Sequence, residues 1–133
     1  MTMKLILVLS FIAYSYAVSI SEYNNEVHIS AINGMSHGEI GVYPNHRGEE
    51  AVLTYHTDDT IACSHLRINV YRGQQKDSNN LISSLCNDDV TETSTEGFLI
   101  VFDSDNSVHN GVINLKISAP NGVSFSSSIV SGK

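Results

Sequence analysis

At 133 residues with 41% hydrophobic side chains, the chain is long enough for one domain with a sizeable core and short for two. Fourteen acidic residues against seven basic ones give a formal net charge of −7, which argues against nucleic-acid backbones and anionic membranes as partners. Two cysteines and no Asn-x-Ser/Thr sequon exclude a disulfide-dense scaffold and expected N-glycosylation.

Met1 to Lys4 carries one positive charge, Leu5 to Tyr16 is almost entirely apolar, and Ser15-Tyr16-Ala17 offers small residues where a signal peptidase reads. This pattern is that of a secretory signal peptide, residues 1–17, with an apolar core too short to span a bilayer. The competing reading is a buried N-terminal helix. No later stretch is apolar enough for a membrane span, so the expected product is secreted, extracellular and soluble, a single domain of residues 18–133. Loss of Lys4 leaves six basic side chains against fourteen acidic ones, a net charge of −8.

The spacing then predicts strands. Val27-His28-Ile29-Ser30-Ala31-Ile32 alternates and ends at Asn33-Gly34, and Gly38 to Pro44 is a short strand stopped by proline. Ala51 to His56 is a strand with Val52 and Thr54 on one face and Leu53 and Tyr55 on the other. In Leu66 to Tyr71, Leu66, Ile68 and Val70 face inward while Arg67, Asn69 and Tyr71 face outward. Arg72-Gly73 breaks that strand, and Leu81 to Leu85 is a second apolar segment leading into Cys86. Asn87 to Asp89 and Thr91 to Gly97 read as acidic, polar loop. Phe98 to Phe102 is a continuous apolar run, as in a strand buried on both faces. Val112 to Ile117 alternates with Ile113, Leu115 and Ile117 inward, so the two runs read as antiparallel strands. After the Ala119-Pro120-Asn121-Gly122 turn, residues 119–133 hold either an edge strand or a tail. No segment has helical periodicity with caps. The fold class is all-β, an antiparallel sandwich.

Cys63 and Cys86 are the only cysteines. In an oxidising compartment one intramolecular bridge is the first reading, and closing such a loop stabilises by about 3–4 kcal/mol. Two free thiols or a disulfide-linked dimer remain open.

With the strands placed, the chain resembles the CUB domain, an extracellular β-sandwich module. Cys63-Ser64-His65-Leu66-Arg67-Ile68-Asn69-Val70-Tyr71-Arg72-Gly73 fits the family's frame of a cysteine, an alternating strand and a glycine. Phe102-Asp103-Ser104-Asp105-Asn106-Ser107 fits its Phe-x-Ser-Asp-x-Ser motif, and Tyr43-Pro44 looks like a shortened N-terminal Tyr-Pro motif. The match spans residues 38–118. The departures are the missing first disulfide, Leu66 in place of an Asp, Arg72 in place of an acidic residue, and Asn87 in place of a Gly. The resemblance implies a spermadhesin-type jelly roll. It also implies a Ca²⁺ site with Asp58 and Asp105 as two ligands, Leu66 where a third would be, and Tyr43 in support. Asp59 or Asp103 would have to make up the missing charge, since Ca²⁺ takes six to eight oxygens. Against this, Asp58 and Asp105 read equally as turn residues bonding nearby backbone amides.

The six histidines, His28, His37, His46, His56, His65 and His109, have no zinc spacing. No Gly-x-Ser-x-Gly or His-Glu-x-x-His motif occurs, so the reading is non-enzymatic. Arg67, Asn69, Tyr71 and Arg72 form an outward strip of the side chains favoured at binding hot spots, or an ordinary solvated face. The expected function is recognition or adhesion: binding an extracellular protein or glycan, through Thr57–Ala62 and Asp103–Asn110 with Tyr43 nearby. The alternatives are a self-associating structural protein and a secreted effector or inhibitor.

Overall fold

The computed structural model describes residues 6–11, 16–23, 25–32, 37–57, 66–86, 88–104 and 113–130. They form eleven strands: β1 (Ile6–Phe11), β2 (Tyr16–Tyr23), β3 (Glu26–Ile32), β4 (His37–Pro44), β5 (Ala51–Thr57), β6 (Leu66–Arg72), β7 (Leu81–Leu85), β8 (Val90–Ser94), β9 (Phe98–Ser104), β10 (Ile113–Ser118) and β11 (Val123–Val130). Ser78–Asn80 is a single 3-10 turn, capped by the Asp77 carboxylate accepting from the Asn79 amide.

The strands divide into a six-stranded sheet, β1-β2-β3-β10-β5-β8, and a five-stranded sheet, β11-β4-β9-β6-β7. Every pairing is antiparallel. The two inner faces meet in one core. Ile20, Val27, Ile29, Leu53, Tyr55, Leu115 and Ile117 come from the six-stranded sheet. Ile40, Val42, Ile68, Val70, Phe98, Ile100 and Phe102 come from the other. The alternation read from β3, β5, β6 and β10 sets these faces, because successive strand residues point to opposite sides. The molecule is thus a β-sandwich, as the spacing predicts.

Four local readings change. The apolar N-terminal stretch is strand, not helix: β1 pairs with β2 from Ile6 opposite Ser21 to Phe11 opposite Tyr16. Residues 90–94, expected as loop, are β8, the edge strand paired with β5. An edge strand with one solvated face needs few apolar residues, and Thr91 and Thr93 are β-branched. Residues 98–102 and 113–117, read as antiparallel partners, lie in different sheets: β9 pairs with β4 and β6, and β10 with β3 and β5. A period of two says which face is buried but not which strand is the neighbour. The choice left open for residues 119–133 is an edge strand through Val130, since β11 pairs with β4 from Val123 opposite Pro44 to Val130 opposite His37.

The run Phe98–Phe102 is buried on both faces, as its unbroken apolarity predicts. Phe98, Ile100 and Phe102 are fully buried in the core, while Leu99 and Val101 point out of the sandwich and are still only 7% and 8% exposed. Their cover comes from the segment after β6. It leaves at Gly73 (φ +82°), whose amide donates to the Gly97 carbonyl at 3.0 Å. The Gln74 side chain then crosses the neighbouring Gly41 and donates to the Phe98 carbonyl at 3.3 Å. Lys76 reaches Glu39 at 2.6 Å. Gly41 lies opposite Leu99, and Glu39 opposite Val101, so the strap runs over both apolar side chains.

Two expectations follow from the strap. A Cβ on Gly41 would sit 2.2 Å from Gln74 Oε1, so Gly41→Ala should displace that side chain and break its hydrogen bond, costing about 1 kcal/mol. In a Gln74→Ala background the same substitution should cost distinctly less, and equal costs in a urea double-mutant cycle would refute the contact. The Lys76 hydrogen bond holds the Glu39 carboxyl below its ordinary value, against the opposing effect of burial, with a further lowering from the charge of Lys76 and of His37. A depressed carboxylate pKa stabilises the fold above the unfolded value, about 4.3, and that contribution is lost as pH falls through the folded one. Lys76 is raised by the same hydrogen bond, so its contribution is complete below its unfolded value, about 10.4, and lost as pH rises past it. In melting temperature against pH, the acid limb should be shallower for Glu39→Gln than for the native protein.

Candidate functional site

The antiparallel strands put two sets of strand ends at opposite poles of the sandwich. One pole carries His37, Thr57, Leu66, Ser104 and Ile113: His37 is opposite Asp103, Leu66 opposite Ser104, and Ile113 opposite Thr57. The other carries Pro44, Ala51, Arg72, Phe98, Ser118 and Val123.

The calcium ligands implied by the resemblance fall outside this geometry. Asp58 and Asp105, with Asp59, Cys63 and most of the expected contact loops Thr57–Ala62 and Asp103–Asn110, lie outside the described residues. Thr57 and Ser104, the described residues that precede Asp58 and Asp105 in the chain, are both at the first pole. Tyr43 is six residues along β4 from His37, about 20 Å away, at the second pole. It lies at the far end of β4 from His37, the residue opposite Asp103. Among the described residues, no group of three or more His, Cys, Asp or Glu side chains could hold a metal ion.

Arg67, Asn69 and Tyr71 do lie together on the outward face of β6, and Arg72 ends the strand exposed. The strip is not continuous solvent. Asn69 Oδ1 accepts from Ser84 Oγ at 2.8 Å, and Tyr71 is half-buried opposite Leu99, the residue beneath the strap. Arg67 and Arg72 are its exposed members. Cys86 closes β7 and is not a free thiol, and the Tyr55 hydroxyl crosses the core to donate to its carbonyl at 2.6 Å.

The second pole holds a cleft that sequence reading missed. It has a volume of about 310 Å³ and is lined by Glu22, Asn25, Glu26, Asn45, Gly122 and Ser124, with Asn121 and Val123 behind them. It exists because the β4–β11 ladder continues past Pro44: the Asn45 amide donates to the Gly122 carbonyl at 3.0 Å. The Asn45 side-chain amide donates to the Asn121 carbonyl at 3.1 Å, and Ser124 Oγ donates to Asn45 Oδ1. Across the cleft, Asn25 Nδ2 donates to the Pro120 carbonyl at 3.2 Å. The turn is held from outside by Glu49, which accepts from both the backbone and the side-chain amide of Asn121. Gly122, at φ +89°, lets the two asparagines converge: a Cβ there would meet Asn45 Nδ2 at 2.8 Å and come within 3.6 Å of Asn25 Oδ1. Tyr43, 38% exposed, stands opposite Ser124 in the β4–β11 ladder and is not itself a lining residue. Only the Asn-Gly turn signalled this site in sequence. Its remaining walls come from stretches far apart in the chain.

A smaller hollow lies on the outer face of the six-stranded sheet, where His28 and His56 flank Asn114 and Lys116. His28 pairs with Glu26 at 2.8 Å and His56 with Asp89 at 3.0 Å, so the fold does bring together two of the histidines that stand apart in sequence. Comparison with protein-family models, curated proteins and solved structures returns no match.

Gly122→Ala should destabilise the protein by about 2 kcal/mol, through the left-handed backbone and the contact with Asn45. The urea midpoint should fall, and amide NMR shifts should concentrate at Asn25, Asn45 and residues 119–124. An unchanged midpoint would refute the account of the cleft.

Proposed function

We propose that the protein is an exported, non-catalytic recognition module that binds an extracellular protein or glycan through the pole at which Asn45 and Gly122 meet. The observation that carries this reading is the cleft: a concave site of small-molecule size, lined by amide, hydroxyl and carboxylate groups at one end of a β-sandwich. The exposed Tyr43, opposite Ser124 in the β4–β11 ladder, adds a side chain of the kind enriched at recognition sites. The leader reading of residues 1–17 supports export, and the net negative charge points away from nucleic acids and anionic membranes. The resemblance to CUB domains adds a family in which such sandwiches serve recognition. The contact pole proposed here is opposite the one that resemblance implies.

The Cys63–Cys86 bridge belongs to the same proposal. It is supported by the state of Cys86, which is not free, and by the presence of a single other cysteine in the chain.

Expression of the full chain in a secreting cell should yield protein in the medium whose N-terminus is near Val18, and which takes up a thiol label only after reduction. Retention in the cytosol with Met1 intact would overturn the export reading. The secreted protein, labelled with a fluorophore, should bind a subset of cell surfaces or extracellular matrices saturably, and Asn45→Ala should lose that binding while remaining folded. Uniform absence of binding, with oligomers that grow with concentration in light scattering, would favour the self-associating structural protein.

A further inference from the structure

From the hydrogen bonds the cleft leaves unused, we infer that its ligand is a neutral saccharide. This inference rests on the recognition reading above and names the ligand class of that site. Most donors in the cleft are already committed. Asn25 Nδ2 is given to the Pro120 carbonyl, Asn45 Nδ2 to the Asn121 carbonyl, and the Ser124 hydroxyl proton to Asn45 Oδ1. The Asn121 backbone and side-chain amides both go to Glu49. What remains is one N–H on each of the side-chain amides of Asn25, Asn45 and Asn121, and a larger acceptor capacity. Asn25 keeps its Oδ1, Ser124 keeps its oxygen lone pairs, and Glu22 carries a carboxylate that no described side chain pairs. Glu26 also lines the cleft and is shared with His28 at 2.8 Å and Lys116 at 4.0 Å.

A ligand for an acceptor-rich cleft must bring several donors. An anion would meet two carboxylates, so uronic, sialylated and sulfated sugars are disfavoured. The several hydroxyls of a neutral sugar ring supply donors without charge, and carboxylate and amide oxygens accept them well. The volume of about 310 Å³ is at the small end of ligand sites, suited to one ring rather than a long chain. Tyr43 is not a lining residue but is paired in register with Ser124, which is, and would supply an apolar face beside the polar floor. It is exposed and opposite Ser124, and a sugar ring has one face of C–H groups to lay against an aromatic ring. A cationic donor such as an ammonium group would satisfy Glu22 but would leave Tyr43 and the hydroxyl-matched amide oxygen without a role, so the sugar is preferred.

The test uses the secreted protein in amide NMR titrations with methyl mannoside, lactose and chitobiose as neutral probes, sialyllactose as the anionic probe and spermidine as the cationic one. The chain has no tryptophan, so tyrosine fluorescence gives a second readout. At least one neutral sugar should give saturable shifts at Asn25, Asn45 and residues 121–124. Asn25→Ala and Tyr43→Ala should each weaken binding by about tenfold, the loss of one hydrogen bond or ring contact of about 1.4 kcal/mol. Their amide spectra elsewhere should be unchanged. Sialyllactose should bind more weakly than lactose in the native protein, and Glu22→Gln should narrow that difference. No saturable shift with any neutral sugar, or shifts with spermidine alone, would overturn the inference. Cell-surface binding that persists with no neutral sugar able to compete would overturn the saccharide while leaving the recognition reading intact.

Discussion

The strand that needs cover on both sides is the constraint from which the architecture follows. Phe98, Leu99, Ile100, Val101 and Phe102 place large apolar groups on alternate faces with no polar face to give to water. Fully burying one such side chain is worth about 1.5–3 kcal/mol, so leaving either face open would forfeit several times that amount. The inner face is met by the six-stranded sheet. The outer face is met by the strap of Gln74 and Lys76, held by the Phe98 carbonyl and the Glu39 carboxylate. Such a strand cannot sit at an edge either, and β4 and β6 flank it in the ladder. Gly41 is part of the same solution, because the strap descends where the neighbouring strand has no side chain.

A central β9 also separates the two poles. It carries the chain from the Gly97 turn beside Tyr43 to Ser104, and β4 runs the opposite way beside it. The chemistry of the second pole rests on the turn after β10, where Pro120, Asn121 and Gly122 are tied to Asn25, Asn45 and Glu49. Tyr43 belongs to the second set by register. A residue's role therefore follows the strand end that carries it, not the motif it stands in.

The cleft is built from polar groups that satisfy one another before any ligand arrives. Asn45 is the pivot: its backbone extends the β4–β11 ladder, its amide holds the turn, and its carbonyl oxygen takes the Ser124 proton. Preorganised groups of this kind bind without paying to be ordered first.

The amino-acid sequence by itself determined the all-β class, the alternation of β3 and β5, the inward faces of β6 and β10, the doubly buried character of residues 98–102, and the turn at Asn121-Gly122. Each of these is a local property: side-chain alternation, an apolar run, or a residue able to take a positive φ. Only the tertiary structure decided which strands are neighbours, that β9 and β10 part into different sheets, that a polar stretch at 90–94 is an edge strand, and that Tyr43 stands away from Ser104. It alone brought Glu22, Asn25, Asn45 and Ser124 to one cleft. The physical reason is that a period of two reports only how each strand is faced. Pairing, register and the meeting of loops are set by the summed burial of all strands at once, and no short window of the chain contains that sum.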